Sequence, residues 1–116
     1  MGYKSFEDLE VWKRACQLAV DIYGALGECR DFGLKSQMTR AALSVASNIA
    51  EGAERNSAPD YARFVHMAKG SAAELRTQLY IAGKVGLLPK QQVSDLAGRC
   101  QDIGAMLQAL ANSLSK

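Results

Sequence analysis

The sequence predicts an all-α protein, an antiparallel up-down-up-down four-helix bundle. Three observations carry that prediction. Four long stretches keep an apolar spacing of three and four residues, the breaks between them are short, and no stretch alternates with the period of a strand. With 116 residues, 48% of them hydrophobic and 22% charged, the chain (1–116) reads as a single four-helix-bundle domain. That is large enough to bury a core without disulfides or a metal.

The first helix is expected over about 5–26. Ser5-Phe6-Glu7-Asp8 has the form of a capping box, with an acid at its fourth position. Leu9, Trp12, Cys16, Ala19, Tyr23 and Leu26 then form a seam for packing on partner helices, with Val11, Val20 and Ile22 off it. Two glycines and mixed charge between Gly24 and Asp31 mark the first connection. The second helix is expected over about 34–53, with Met38, Ala42, Val45 and Ile49 as its apolar face. Gly52 is read as its terminator, free to take a positive φ. The third helix, about 58–85, is capped by Ser57 and carries Pro59 in its first turn. Its stripe runs through Tyr61, Phe64, Val65, Ala68, Ala72, Leu75, Leu79 and Ala82. Leu87-Leu88-Pro89 turns the last corner. The fourth helix, about 89–113, has a near-unbroken heptad seam of Val93, Leu96, Cys100, Ile103, Leu107, Leu110 and Leu114.

The second helix also carries an unusual polar stripe. Gln37, Arg40, Ser44, Ser47, Asn48 and Glu51 repeat beside the apolar face. A helix made only for solubility would use Glu and Lys there; Ser, Asn and one Arg suit a partly enclosed contact. Folding helices two and three back about Arg55 sets Arg40 opposite Ser71 and Glu74, and Gln37 opposite Glu74 and Gln78. The expectation is a structural polar network of Gln37, Arg40, Ser44, Asn48, Glu51, Arg55, Ser71, Glu74 and Gln78. At its centre stands a buried Arg40–Glu74 ion pair, and Gly70 allows close backbone approach. The network is read as fixing helix register and subunit contacts, ahead of a ligand or catalytic site.

No catalytic residue, cofactor or metal ligand set is expected. The single histidine, His66, has no Glu-x-x-His context and points outward by its spacing, whereas a metal site needs several ligands. Cys16 and Cys100 fall on core seams, and Cys29 sits in a loop with no base tied to it. Ser44 and Ser47 have no base at helical spacing, and no glycine-rich loop follows a strand. An odd cysteine count and the polar N-terminus MGYKSFEDLE point to a reduced, cytoplasmic protein without a signal peptide. No apolar run approaches the ~20 residues of a membrane span.

Binding has more support. The formal net charge is only +2, but the cations gather on the first three helices, from Lys4 onward. After Lys90 the fourth helix carries only Arg99 and Lys116. Arg63, Lys69 and Arg76, with His66, are candidate nucleic-acid contacts on an outward side of helix three, in a salt-sensitive mode. An ordinary solvated helix face is the alternative.

Gln37-x-x-Arg40-Ala41-Ala42-x-Ser44-Val45-x-x-Asn48-Ile49-Ala50-Glu51-Gly52 with Arg55, followed by Ala68-x-Gly70-Ser71-x-x-Glu74-Leu75, resembles the four-helix-bundle family of rRNA intervening-sequence proteins. Phe6-x-x-Leu9-x-Val11-Trp12 and Gly86-Leu87-Leu88 fit as well, so the resemblance spans about residues 5 to 90. The family is bacterial and is similar to the accessory variability determinant of diversity-generating retroelements. The resemblance implies a ring-like homo-oligomer, a pentamer, with an RNA, DNA or ribonucleoprotein partner and no catalysis. Ala46-Ser47 stand where relatives often carry a proline, so no kink is expected in helix two. The expected function is therefore a non-enzymatic oligomeric bundle binding RNA or DNA through a basic outer surface. A protein-interaction scaffold is the alternative, and a hydrolase built on Arg40 and Glu74 comes third.

Overall fold

The structure, a computed structural model, describes residues 5–115. Among these residues there are four α-helices, one 3-10 turn and no strand. The turn is Phe6–Asp8, and the helices are α1 (Glu10–Ala25), α2 (Phe32–Ala53), α3 (Ala58–Lys84) and α4 (Lys90–Leu114). Lys4 and Lys116 lie outside the described residues. α2 packs on α1 and α3, α3 packs on α4, and α4 returns to α1, so every helix has two neighbours around one core. The body measures 48 × 21 × 20 Å. Its long axis follows from α3, whose 27 residues span about 40 Å at 1.5 Å each.

The core follows the three-and-four spacing in α2, α3 and α4. Met38, Val45, Ile49, Val65, Leu75, Leu79, Ile103 and Leu107 are all fully buried or nearly so. Helix α1 differs from the seam expected of it. Its buried stripe is Val11, Ala15, Leu18, Ala19 and Ile22, continued by Leu26, about one position away from the line through the largest residues. The alanines let the helix sit close to its neighbours, which pushes the bulky side chains to the flank. Trp12 and Cys16 are half-buried and Tyr23 is exposed. The Trp12 ring meets Phe6 edge-on, with centroids 5.2 Å apart.

Helix α1 begins later than expected, after a separate 3-10 turn. Ser5 caps the 3-10 turn through its hydroxyl, which accepts from the Glu7 N–H at 3.1 Å, and Leu9 is extended before the helix proper opens. The second helix starts two residues earlier than its apolar pattern suggests, because the Asp31 carboxylate accepts from the Leu34 N–H at 3.0 Å. It then runs unbroken through Ala46-Ser47. Ser57 caps α3, accepting from the Asp60 N–H at 3.2 Å. At the other end of α3, Gly86 takes φ +81°. This lets the Leu87 N–H reach the Ala82 carbonyl at 2.9 Å, a wrap that closes a helix end only when the turning residue tolerates positive φ.

Two glycines depart from the roles read for them. Gly52 lies inside α2 without a positive φ and is buried, so it does not terminate the helix. A Cβ there would lie 2.8 Å from the Phe64 Cβ and 3.2 Å from the Tyr61 carbonyl oxygen, so α3 packs directly against the bare backbone at Gly52. Gly70, by contrast, is exposed with nothing within 4 Å of its would-be Cβ. Among the described residues no helix is long and apolar enough to cross a membrane.

Candidate binding surfaces

The polar stripe of α2 does not close into a network with α3. Arg40 and Glu74 are both exposed, and no ion pair joins them. The expected buried pair is not formed within the chain. The physical reason is where the two side chains stand: each lies on a solvent-facing side of its own helix. Gln37 is exposed as well. Ser44, Asn48 and Ser71 are half-buried, and the Asn48 amide donates to the Ser44 carbonyl of its own helix at 2.9 Å. Gln78 is buried, only 7% exposed, and its Oε1 has no hydrogen-bond donor in reach. An unmet buried acceptor costs roughly 1–3 kcal/mol. Gln78→Met is therefore expected to raise stability by about 1 kcal/mol, read as a higher urea midpoint at unchanged slope. A lowered midpoint would mean that the amide contributes a favourable contact.

The remaining members, Glu51 and Arg55, belong to a separate clasp at the α2–α3 turn. Arg55 reaches Asp60 at 3.7 Å and Glu51 at 3.8 Å, while Arg63 holds the same Asp60 at 2.9 Å. Both guanidinium groups lie against the buried Phe64 ring, at 4.4 and 4.6 Å from its centroid. One carboxylate thus serves two cations, and one ring covers the underside of both. Arg63 is therefore committed to the turn and does not share a face with Lys69 and Arg76, contrary to the grouping expected of the three. His66 stands exposed on its own.

Lys69 and Arg76 do share a site. They line a groove of about 270 Å³ between α3 and α4, whose other walls include Gln101 and Gln108 and whose floor is Ala72, Ala73, Gly104 and Ala105. Lys69 donates to the Gln108 side-chain oxygen, and Arg76 Nε donates to the Tyr80 hydroxyl at 3.0 Å. Both partners are neutral, and no carboxylate lines the groove. Cys100 lies beneath it, and burial pushes its thiol up to about 12, with the Arg76 and Arg99 charges pulling partly the other way. At neutral pH it stays protonated and acts as a small apolar filler.

The neighbouring seam, between α1 and α4, has a different balance. It forms a cleft of about 250 Å³ lined by Arg14, Gln17, Arg99, Asp102 and Ile103. Arg99 is held by Asp21 at 2.8 Å and Arg14 by Glu10 at 3.2 Å, so charge there is compensated. Cys29 is half-buried, its thiol directed at the Asp31 carbonyl at 3.8 Å. Among the described residues no three His, Cys, Asp or Glu side chains gather as a metal site. Sequence reasoning did not find Tyr80, Gln108 and Asp60 as members of these surfaces. The available signals were the four-residue spacing of Arg76 and Tyr80, and Gln101-x-x-Gly104-x-x-x-Gln108 on one side of α4.

The model for the 23S rRNA-intervening sequence protein family matches residues 7–109. A crystal structure at 1.70 Å resolution of a protein of unknown function from the S23 ribosomal protein family of Bacteroides thetaiotaomicron has the same fold. Its TM-score is 0.83 at 20% identity, with 87% of this chain and 97% of that chain covered. No curated protein matches the sequence.

Proposed function

The chain belongs to the 23S rRNA-intervening sequence protein family, and we propose that it is a non-enzymatic, self-associating bundle that binds RNA or DNA through the α3–α4 groove. One observation carries this reading. Arg14, Arg55, Arg63 and Arg99 are each held by a carboxylate, whereas Lys69 and Arg76 stand in one groove with neutral partners only. A groove with two uncompensated cations and no acid favours a polyanion, and phosphate contacts of this kind weaken as counterions compete. The helices are read as an antiparallel up-down-up-down bundle, in keeping with their short links and neighbour-to-neighbour packing. In self-association, the unpaired Arg40 and Glu74 and the bare backbone at Gly70 meet another copy, giving a ring such as the pentamer the family resemblance implies. The setting is the cytoplasm.

A protein-interaction scaffold is the second reading. It is favoured by exposed apolar side chains, Phe32 at 73%, Val85 at 63% and Ile81 at 50%, which suit a polypeptide partner better than a nucleic acid. Electrophoretic shifts of structured RNA and duplex DNA over a salt series separate the two. The proposal expects a shift at low salt that fades as salt rises. No shift at low salt, or one indifferent to salt, contradicts it. Light scattering measures self-association independently, against the 12.5 kDa of one chain.

A further inference from the structure

An aromatic ring stands one helical turn beyond Arg76, the second cation of the α3–α4 groove. Tyr80 follows Arg76 by one helical turn and is 46% exposed, and the Arg76 guanidinium lies 5.7 Å from its ring centroid while donating to its hydroxyl. Counted along α3, Lys69 and Arg76 are about 10 Å apart, and the ring stands about 6 Å further on. The order along this side of α3 is therefore cation, cation, exposed ring. The groove's floor is alanine and glycine, with nothing within 4 Å of a Cβ built on Gly104, so the channel is open to a chain lying lengthwise. The charge-balanced α1–α4 cleft, lined by Arg14, Gln17, Arg99, Asp102 and Ile103, includes no aromatic side chain.

We propose that this groove takes a single-stranded stretch of nucleic acid, with backbone phosphates at Lys69 and Arg76 and an unpaired base stacked on Tyr80. The inference rests on the nucleic-acid reading above and narrows it. A base offers its face to a protein ring only when it is free of its own stacked neighbours, which a duplex does not allow without distortion. A recessed floor between two helices also suits a single backbone better than the ridge of a duplex. The Arg76 guanidinium beside the ring, 5.7 Å from its centroid, limits the ring's motion before any strand arrives, and a phenylalanine ring would keep that contact.

The test is fluorescence anisotropy with a short labelled oligouridylate, the same strand annealed as a duplex, and the full-length protein at low salt. Wild type is expected to bind the single strand about tenfold or more tightly than the duplex. Tyr80→Ala is expected to lose about tenfold for the single strand with little change for the duplex, and Tyr80→Phe to keep most of the wild-type affinity. Because Tyr80 is on the surface, circular dichroism should show all three proteins equally helical. Equal affinity for strand and duplex, or a Tyr80→Ala protein that binds the strand as wild type does, overturns the single-strand inference and leaves the broader reading standing. Failure of wild type to bind either probe sinks both together.

Discussion

Gly52→Val is expected to destabilise the chain by about 3 kcal/mol or more, enough to leave much of it unfolded at physiological temperature. The cost comes from what a side chain at this position meets. A Cβ alone would sit 2.8 Å from the Phe64 Cβ, 3.0 Å from a Tyr61 ring carbon and 3.2 Å from the Tyr61 carbonyl oxygen. Two of those three atoms are a Cβ and a backbone oxygen in the first turns of α3, and neither can swing away as the end of a long side chain can. In an open helix Gly→Ala gains about 1 kcal/mol, so Gly52→Ala sets that gain against an overpacking cost of about 1–3 kcal/mol and loses on balance. The branched carbons of valine add to the clash and force the helices apart. Phe64→Ala does not relieve it, because alanine keeps the offending Cβ. Gly70→Ala, at an open exposed site, should move the other way by about 0.5–1 kcal/mol. Thermal melts of the two alanine variants beside wild type check the opposite signs; a Gly52→Ala protein that melts above wild type refutes the close approach.

The same pair of glycines shows how far the sequence could be read. Helix positions follow from apolar spacing, and so does most of the core, because Met38, Val45, Ile49, Leu75 and Leu79 repeat at the helical period and are buried. Spacing fails where size and burial part company. In α1 the large residues Trp12 and Tyr23 suggested the seam, yet the buried line runs through Ala15 and Ala19, since small residues let helices approach. Which glycine marks a contact depends on the rotation of α2 against α3, and no single-helix pattern contains that angle. The Arg40–Glu74 pairing failed for the same reason. Register placed the two residues near one level, while their positions around each helix turned both toward solvent. The groove was half legible: Lys69 and Arg76 share a side of α3 by spacing alone, but Gln108, Gly104 and the absence of acids there come from α4.

Reversing both groove charges has the other large expected effect. Lys69→Glu/Arg76→Glu should weaken nucleic-acid binding by about tenfold or more and flatten its dependence on salt, since two phosphate contacts are replaced by repulsion. The substitution is clean in a way that reversal of Arg63 is not. Lys69 and Arg76 contact Gln108 and Tyr80, both neutral, so no ion pair is broken and folding is expected to be retained. Arg63→Glu would instead turn against Asp60 at the α2–α3 turn. The matching control is Lys13→Glu/Lys90→Glu, which reverses two exposed lysines outside the groove and reaches the same net charge.

The decisive measurement is the affinity of wild type, the groove variant and this control for one structured RNA, titrated at several salt concentrations. The account predicts salt-sensitive binding by wild type, nearly as much by the control, and a loss of about tenfold or more confined to the groove variant. Equal loss in both variants would reduce the effect to overall charge, and undiminished binding by the groove variant would contradict the account outright.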